Sequence, residues 1–174
     1  TMSVLNGTTP LFSFIIATLW LKLNTNLVQL MGILIGIIGL VIFVGYESLE
    51  FSLFALLLCL GASFLYAFSS NFIFKTQSID ATYLAAMTLL FATFLVFPFT
   101  FLETGLHLNH SNEVLLSVFL LGFACTGLAY MGYVVLIKRA GPVRASTVVL
   151  IVPISGMLWA NLFLNEVITL TMLL

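Results

Sequence analysis

An apolar stretch near the middle of the chain carries polar side chains at helical spacing. Ser63, Tyr66 and Ser70 stand at positions i, i+3 and i+7, and Asn71 follows directly. Residues three, four and seven apart share one face of an α-helix, so the three hydroxyls form a single polar stripe. Such a stripe can line a path for a polar solute, or its hydroxyls can bond to their own helix or to a neighbouring one. Both interpretations are open at this point.

A second polar stripe, flanked by small residues, contains Thr126, Tyr130 and Tyr133. Two phenols one turn apart need two polar partners or water, which favours a wet surface. The functional interpretation makes both stripes the lining of a solute path. The candidate path residues are Ser63, Tyr66, Ser70, Asn71, Thr126, Tyr130 and Tyr133.

The composition places these stripes in a membrane. Hydrophobic residues make up 62% of the chain and charged residues only 6%, and the mean hydropathy is +1.26. A soluble domain carries about 25% charged residues, so the composition excludes a soluble protein and predicts an all-α membrane protein. Cys59 and Cys125 lie inside apolar runs and behave as small hydrophobic residues. We find no phosphate-binding glycine loop, nucleophile–base pair or metal-ligand cluster, so we predict no cofactor, no metal, no nucleic-acid partner and no enzyme activity.

Six apolar spans and the start of a seventh are recognisable along the chain. A helix needs about 20 apolar residues to cross a bilayer core. The predicted spans are A (2–21), B (27–44), C (52–74), D (81–102), E (114–137), F (145–164) and G (from 169). Because span G is too short to cross, we expect the chain to be a piece of a longer protein.

The charges fall in alternate loops. The acids lie in the intervening loops, with Asp80 as the exception. Basic residues are enriched in cytoplasmic loops, so we predict that the A–B, C–D and E–F loops are cytosolic in a multi-pass protein of a bacterial plasma or inner membrane. The five basic residues in those loops are Lys22, Lys75, Lys138, Arg139 and Arg144.

Prolines in spans A and F indicate an internal repeat. Pro10 and Pro153 align at an offset of 143 residues, and each is predicted to break its helix and act as a hinge. Span A ends at Lys22 whereas span F begins near Arg144, so the two copies are antiparallel, as in the inverted repeats of secondary transporters. A complete two-repeat protein would have about 286 residues, twice the offset. The other coincident pairs are Ser3 with Ser146, Ala17 with Ala160, Leu19 with Leu162, Leu21 with Leu164, and Leu27 with Leu170.

Spans E and F resemble the second half of the EamA-type drug/metabolite transporter superfamily. The resemblance rests on the Arg-Ala-Gly-Pro turn at 139–142, the mid-span Pro153 and the Leu-Phe-Leu-x-Glu ending at Glu166. Spans A and B look like the end of the first half. The resemblance implies ten transmembrane helices in two inverted five-helix repeats, with 1–45 ending the first repeat and 51–174 forming a truncated second one. Span A lacks the helix-ending acid and has Leu23 beside Lys22 instead.

These observations predict a secondary transporter that moves a small organic metabolite or drug by alternating access. The alternative is a non-transporting membrane scaffold, or an intramembrane enzyme whose reactive residues lie outside this chain. The partners expected are the lipid bilayer, a small solute and a second copy of the chain. Gly32, Gly36 and Gly39 of span B form a GxxxG-like face that could pack against that copy.

Overall fold

The described part of the protein is a bundle of apolar helices. The computed structural model describes residues 6–44, 53–101 and 111–164. A 3₁₀ segment, Phe97–Phe101, continues α4, and a π-helical segment, Leu121–Leu128, joins α5 to α6. The helices are α1 (Thr9–Leu19), α2 (Leu27–Val44), α3 (Leu53–Lys75), α4 (Ala81–Val96), α5 (Asn112–Leu120), α6 (Ala129–Ala140), α7 (Pro142–Ser146) and α8 (Val148–Leu164).

Four helical stretches of the described residues are long and apolar enough to cross a membrane. Helices α1 and α2 are apolar but shorter where they are described. The all-helical membrane architecture expected from the composition is therefore confirmed, whereas the ten-helix inverted repeat stays a prediction. The four stretches correspond to the predicted spans C to F, and they are Leu53–Lys75, Ala81–Thr100, Asn112–Ala140 and Pro142–Phe163.

Span E is not a plain α-helix, because its middle third is π-helical. In a π-helix each turn closes on the carbonyl five residues back. Thr126 reinforces this pattern, since its Oγ1 donates to the Leu121 carbonyl oxygen at 3.0 Å. Gly122 and Gly127 lie in the same segment and present no side chain. The π segment ends directly before Ala129, the first residue of α6.

Spans A and F were each predicted to break at a proline, and the structure places their interruptions before those prolines. Helix α1 begins at Thr9, so the buried Pro10 lies in its first turn, where a missing N–H costs least. Span F begins earlier than predicted, at Pro142, and is interrupted at Thr147. The Thr147 Oγ1 donates to the Arg144 carbonyl oxygen at 2.7 Å, so a side chain competes there with the helical backbone bonds. Pro153 lies within the continuous helix α8.

Small buried residues bring the central helices together. Helix α1 packs against α3 and α7, and α6 packs against α3 and α4. Ala17 on α1, Ala67 on α3 and Ala145 on α7 are completely buried. Small side chains at helix interfaces let backbones approach closely, which is the main source of packing between membrane helices. The result is a tight α1–α3–α7 centre, against which the polar stripes of α3 and α6 are held.

Lys138 ties the end of α3 to the end of α6. Its ammonium Nζ donates to the Thr76 carbonyl oxygen at 3.0 Å and to the Ile79 carbonyl oxygen. In return, Gln77 Nε2 donates to the Lys138 carbonyl oxygen at 3.3 Å. These carbonyls follow the C-terminus of α3, where helix carbonyls lack intrahelical partners and attract a cation. The lysine therefore fixes the α3–α4 loop.

Asp80, the acid that departs from the charge pattern, is the N-cap of α4. Its Oδ1 accepts hydrogen bonds from the backbone N–H groups of Thr82 at 2.8 Å and Tyr83 at 3.1 Å. The N–H of Tyr83, then that of Thr82 and, more weakly, the charge of Lys138 hold the pKa of Asp80 below its usual value. A cap explains this acid without any role in transport.

Candidate substrate cavity

Three tyrosines stand where two cavities of the bundle meet. Tyr66 comes from α3, and Tyr130 and Tyr133 come from α6, directly after the π segment. All three line both cavities. The two polar stripes recognised in the sequence therefore face each other, because α3 and α6 are packed side by side.

The first cavity, here called the proline cavity, has a volume of about 340 Å³. The start of α1 and the first half of α8 complete its wall. This places the Pro153 region of α8 beside the residues that precede Pro10. Besides the tyrosines, its lining residues are Asn6, Thr9, Val149, Val152 and Pro153.

The second cavity, here called the hydroxyl cavity, has a volume of about 520 Å³ and lies between α3, α4 and the middle of span E. Of the predicted path residues, Ser70 and Thr126 lie here together with the tyrosines. Ser69 and Thr88 add two further hydroxyls. The remaining lining is aliphatic, so the polar groups form a small cluster on an apolar wall.

Hydrogen bonds orient the tyrosine hydroxyls. Ser70 Oγ donates to the Tyr66 carbonyl oxygen at 3.0 Å, and Tyr133 Oη lies 3.3 Å from the same Oγ. Because the single Ser70 proton is used on Tyr66, Tyr133 is the donor to Ser70. The Tyr130 hydroxyl interacts with the side chains of Ser69 and Thr88. A solute that binds the two phenols would therefore compete with the Ser70 hydroxyl for Tyr133 and with Ser69 and Thr88 for Tyr130.

Two of the predicted path residues lie elsewhere. Ser63 and Asn71 are fully buried and share a stripe of α3 with Ala67. Asn71 Nδ2 donates to the Ser13 carbonyl oxygen at 3.3 Å, to Ser13 Oγ at 3.1 Å and to the Ala67 carbonyl oxygen at 2.8 Å. Its Oδ1 is buried and has no hydrogen-bond partner among the described residues. Asn71 therefore joins α3 to α1, behind the tyrosines rather than in front of them.

The other predicted site residues are the prolines and a helix-end acid. Pro153 lines the proline cavity directly. Pro10 is buried one position after Thr9, which lines the same cavity. Glu166 lies outside the described residues.

Sequence reasoning missed two hydroxyl residues of the cavity, one on α3 and one on α4, and the π-helical segment before Tyr130. Ser69 precedes Ser70 in the chain, and a helical stripe counted from Ser70 leaves it out. Thr88 is flanked by apolar residues in span D, so no polar stripe at helical spacing points to it. Within the described ranges, no three His, Cys, Asp or Glu side chains come together as metal ligands.

Comparison with known proteins identifies the family of the chain. The model of the EamA-like transporter family matches residues 53–174. The protein named "Uncharacterized transporter in sor 3'region" of Acidianus ambivalens is 34% identical over 95 residues, which cover 55% of this chain and 38% of that protein. This chain therefore aligns with well under half of its relative. No solved structure shows a significant match. Since the family match extends over most of the chain, the chain belongs to the EamA-like transporter family and is an integral, multi-pass membrane protein.

Proposed function

We propose that the chain is the part of a secondary transporter that holds its solute path, and that the path runs through the proline and hydroxyl cavities. The observation that supports this most directly is the sharing of Tyr66, Tyr130 and Tyr133 by both cavities. A solute path that opens alternately to the two sides of a membrane requires side chains that separate two cavities, and we propose that the three tyrosines have this role. The family match is consistent with this function.

The lining favours a small organic solute that is neutral or zwitterionic. None of the side chains lining the two cavities is charged at neutral pH. A solute with a net charge would lose its hydration in this apolar setting without gaining an ionic partner. Phenol and hydroxyl groups can instead bond to amide, hydroxyl or amine groups, and the tyrosine rings offer flat apolar surface. Both cavities fall in the size range of small-molecule sites, about 300–1,000 Å³.

Alternation would depend on the irregular points of the helices that carry the cavity walls. The π segment precedes Tyr130, the Thr147 interruption precedes α8, and Pro153 lies in the wall itself. At each point a regular α-helical hydrogen bond is absent or replaced, so bending costs less there than in an intact helix. Broken helices that line a central site are typical of secondary transporters.

The proposal is tested by solute binding and flux in proteoliposomes containing the full-length protein. A panel of amino acids, amines and sugars would identify a solute, and Tyr130→Phe would then remove one hydroxyl from the layer between the cavities. We expect solute binding to weaken about three- to tenfold, which corresponds to one hydrogen bond, while expression stays normal. Tyr83→Phe is the matched control, because Tyr83 is exposed on α4 and outside both cavities.

Two outcomes would refute the proposal. One is a full-length protein that moves no member of the panel in either direction. The other is a solute whose affinity is the same for the Tyr130→Phe variant, the Tyr83→Phe variant and the native protein, which would place the path elsewhere.

The proposed path lies mostly in residues 51–174, which we propose as the second of two repeats. The family match to residues 53–174 supports a boundary between α2 and α3. The proposed first repeat contributes Thr9 of α1, and Asn6 just before that helix, to the proline cavity. Both repeats would thus contribute to one path, as expected when inverted repeats enclose a site at their interface.

A further inference from the structure

A second pair of connected cavities lies at the end of the bundle that carries the basic residues. The first, here called the head cavity, has a volume of about 270 Å³ and lies between the α1–α2 loop and the α6–α7 turn. The second, here called the tail groove, has a volume of about 380 Å³ and lies between α2 and α8. The two share Gln29, Val143 and Arg144, so they form one continuous site.

The head cavity is basic and polar. Arg139 and Arg144 line it from the α6–α7 turn, and Asn24 and Thr25 line it from the opposite loop. Both arginines are exposed, which leaves their guanidinium groups free to meet a ligand from solvent or from the lipid headgroup layer.

No acid of the described residues neutralises these two arginines. The described acids are Asp80 and Glu113. Asp80 is occupied by the backbone N–H groups of α4 and lies near Lys138. Glu113 lies in the first turn of α5, at the far end of the stretch that runs to Ala140. Within the described part of the chain the head cavity therefore has a positive charge without an acidic partner and is complementary to an anion.

The tail groove is apolar and open. Beyond the shared residues its walls are mostly apolar, formed by Gly32, Ile33, Leu150 and Ile151, with Thr147 adding one hydroxyl. A Cβ placed on Gly32 would meet no heavy atom within 4 Å, so the glycine leaves a gap in the surface of α2. Ile151 is 59% exposed although it is a large hydrophobic residue. The site thus changes from basic to apolar along its length.

We propose that this site binds one anionic phospholipid, with the headgroup phosphate on Arg144 and Arg139 and an acyl chain in the tail groove. A free anion would fill the head cavity but would leave the apolar groove unexplained, and a neutral lipid would leave the arginines without a partner. Basic pockets between helices at a membrane surface are suited to acidic headgroups. The inference is independent of the solute path, because the residues of the two sites do not overlap.

The test measures thermal stability of the full-length protein in phosphatidylcholine nanodiscs that contain increasing mole fractions of phosphatidylglycerol. We expect the melting temperature to rise with phosphatidylglycerol and to saturate. Arg144→Gln should raise the half-maximal mole fraction about fivefold, the equivalent of ~1 kcal/mol for one basic residue near an acidic lipid. Arg139→Gln, in the same cavity, gives a second variant if Arg144→Gln fails to fold. Lys75→Gln is the charge-matched control, since Lys75 lies over the Trp20 ring and outside the site.

A second pair of variants tests the tail groove. Gly32→Leu should fill the groove and weaken the phosphatidylglycerol response about as much as Arg144→Gln does. Gly39→Leu is its matched control, because a Cβ at Gly39 also meets nothing within 4 Å while Gly39 lines neither cavity.

Several outcomes would overturn the proposal. An equal loss of response in Lys75→Gln and Arg144→Gln would mean that acidic lipid acts through surface charge in general. Stabilisation by inorganic phosphate in pure phosphatidylcholine would mean that the head cavity binds a soluble anion. If the native protein were a dimer and the Gly32→Leu variant a monomer with an unchanged phosphatidylglycerol response, a second copy of the chain would be the molecule that covers the groove.

Discussion

At the scale of single residues, two of the basic side chains make specific contacts within the bundle. Lys138 donates to two carbonyl oxygens of the α3–α4 connection, and Lys75 lies 4.7 Å from the centroid of the Trp20 ring. Trp20 in turn stacks on Phe68 at 5.2 Å. Long basic side chains with an apolar stem suit a position between hydrocarbon and water. Two of the five basic residues are thus also packing elements.

Removing the Lys138 ammonium should loosen the α3–α4 connection. Lys138→Gln cannot reach both the Thr76 and Ile79 carbonyl oxygens, so we expect a loss of about 1.5 kcal/mol in the free energy of unfolding, typical for a hydrogen bond to a charged group. Thermal denaturation in detergent gives the stability, and hydrogen exchange of residues 76–80 locates the effect. Arg139→Gln removes the same charge from the next position. Equal losses of unfolding free energy in the two variants would show that stability depends on the net charge at this end of the bundle and not on the Lys138 hydrogen bonds.

The sequence predicted most of the candidate cavity, for reasons that also explain its failures. Helical spacing places Tyr66 with Ser70, and Tyr130 with Tyr133, on common faces, and all four line the hydroxyl cavity. The same spacing included Ser63, which is buried outside both cavities, and Asn71 was added only because it follows Ser70, although adjacent residues point about 100° apart on a helix. The face of a helix that contacts a given neighbour depends on how the whole bundle packs. The residue pattern of a single span does not determine that packing.

At the scale of elements, the lengths of the spans were predictable and their interruptions were not. Predicted span B, at 27–44, coincides with α2, because an apolar run bounded by polar residues defines a membrane helix. The π segment and the Thr147 interruption each coincide with a hydroxyl-to-carbonyl hydrogen bond, of Thr126 and Thr147 respectively. Thr88 and Thr93 make similar bonds within the regular helix α4, so a threonine in a span does not by itself predict a break.

Pro153 gives a prediction at this scale. Pro153→Ala restores a backbone N–H in α8 and should straighten or stiffen the helix that forms one wall of the proline cavity. We expect stability to be unchanged or slightly higher, solute binding to survive, and flux to fall, because the tyrosine layer is untouched while the wall moves less readily. Binding and flux are measured side by side in proteoliposomes.

Pro98→Ala is the matched control for this variant. Pro98 lies in the exposed 3₁₀ segment after α4 and lines neither the proline nor the hydroxyl cavity. Wild-type flux in Pro153→Ala would make this proline a packing feature and remove the hinge from the proposed mechanism. A fall in flux of the same size in Pro98→Ala would point to a general effect of helix stiffness.

At the scale of the whole molecule, three connections converge at one end of the bundle. The head cavity is lined by both the α1–α2 loop and the α6–α7 turn, and Lys138 beside that turn contacts the α3–α4 loop. These are the loops that the charge pattern places together. The structure therefore agrees with the charge pattern on which loops share an end, and the side of the membrane on which that end lies is a prediction.

Single cysteines can test that side. In a full-length background with Cys59→Ala and Cys125→Ala, Ser78→Cys lies in the exposed α3–α4 loop, and Ser111→Cys lies just before α5. Because the basic end is predicted to be cytosolic, an impermeant thiol reagent should label Ser111→Cys in intact cells. It should label Ser78→Cys only after the membrane is opened. Labelling of Ser78→Cys alone in intact cells would invert the orientation.

The π segment also determines where span E can lose a residue in evolution without disturbing the solute path. A π turn holds one residue more than an α turn, so Leu121–Leu128 is a place where the chain already carries surplus length. Loss of one residue there can be absorbed by a return to α-helical winding, which leaves the anchored end at Lys138 in position. The same deletion in the regular helix α3 would rotate Tyr66 by about 100° relative to Ser70 and separate the two stripes. Length variation among related proteins should therefore be tolerated in the middle of this span and selected against in α3.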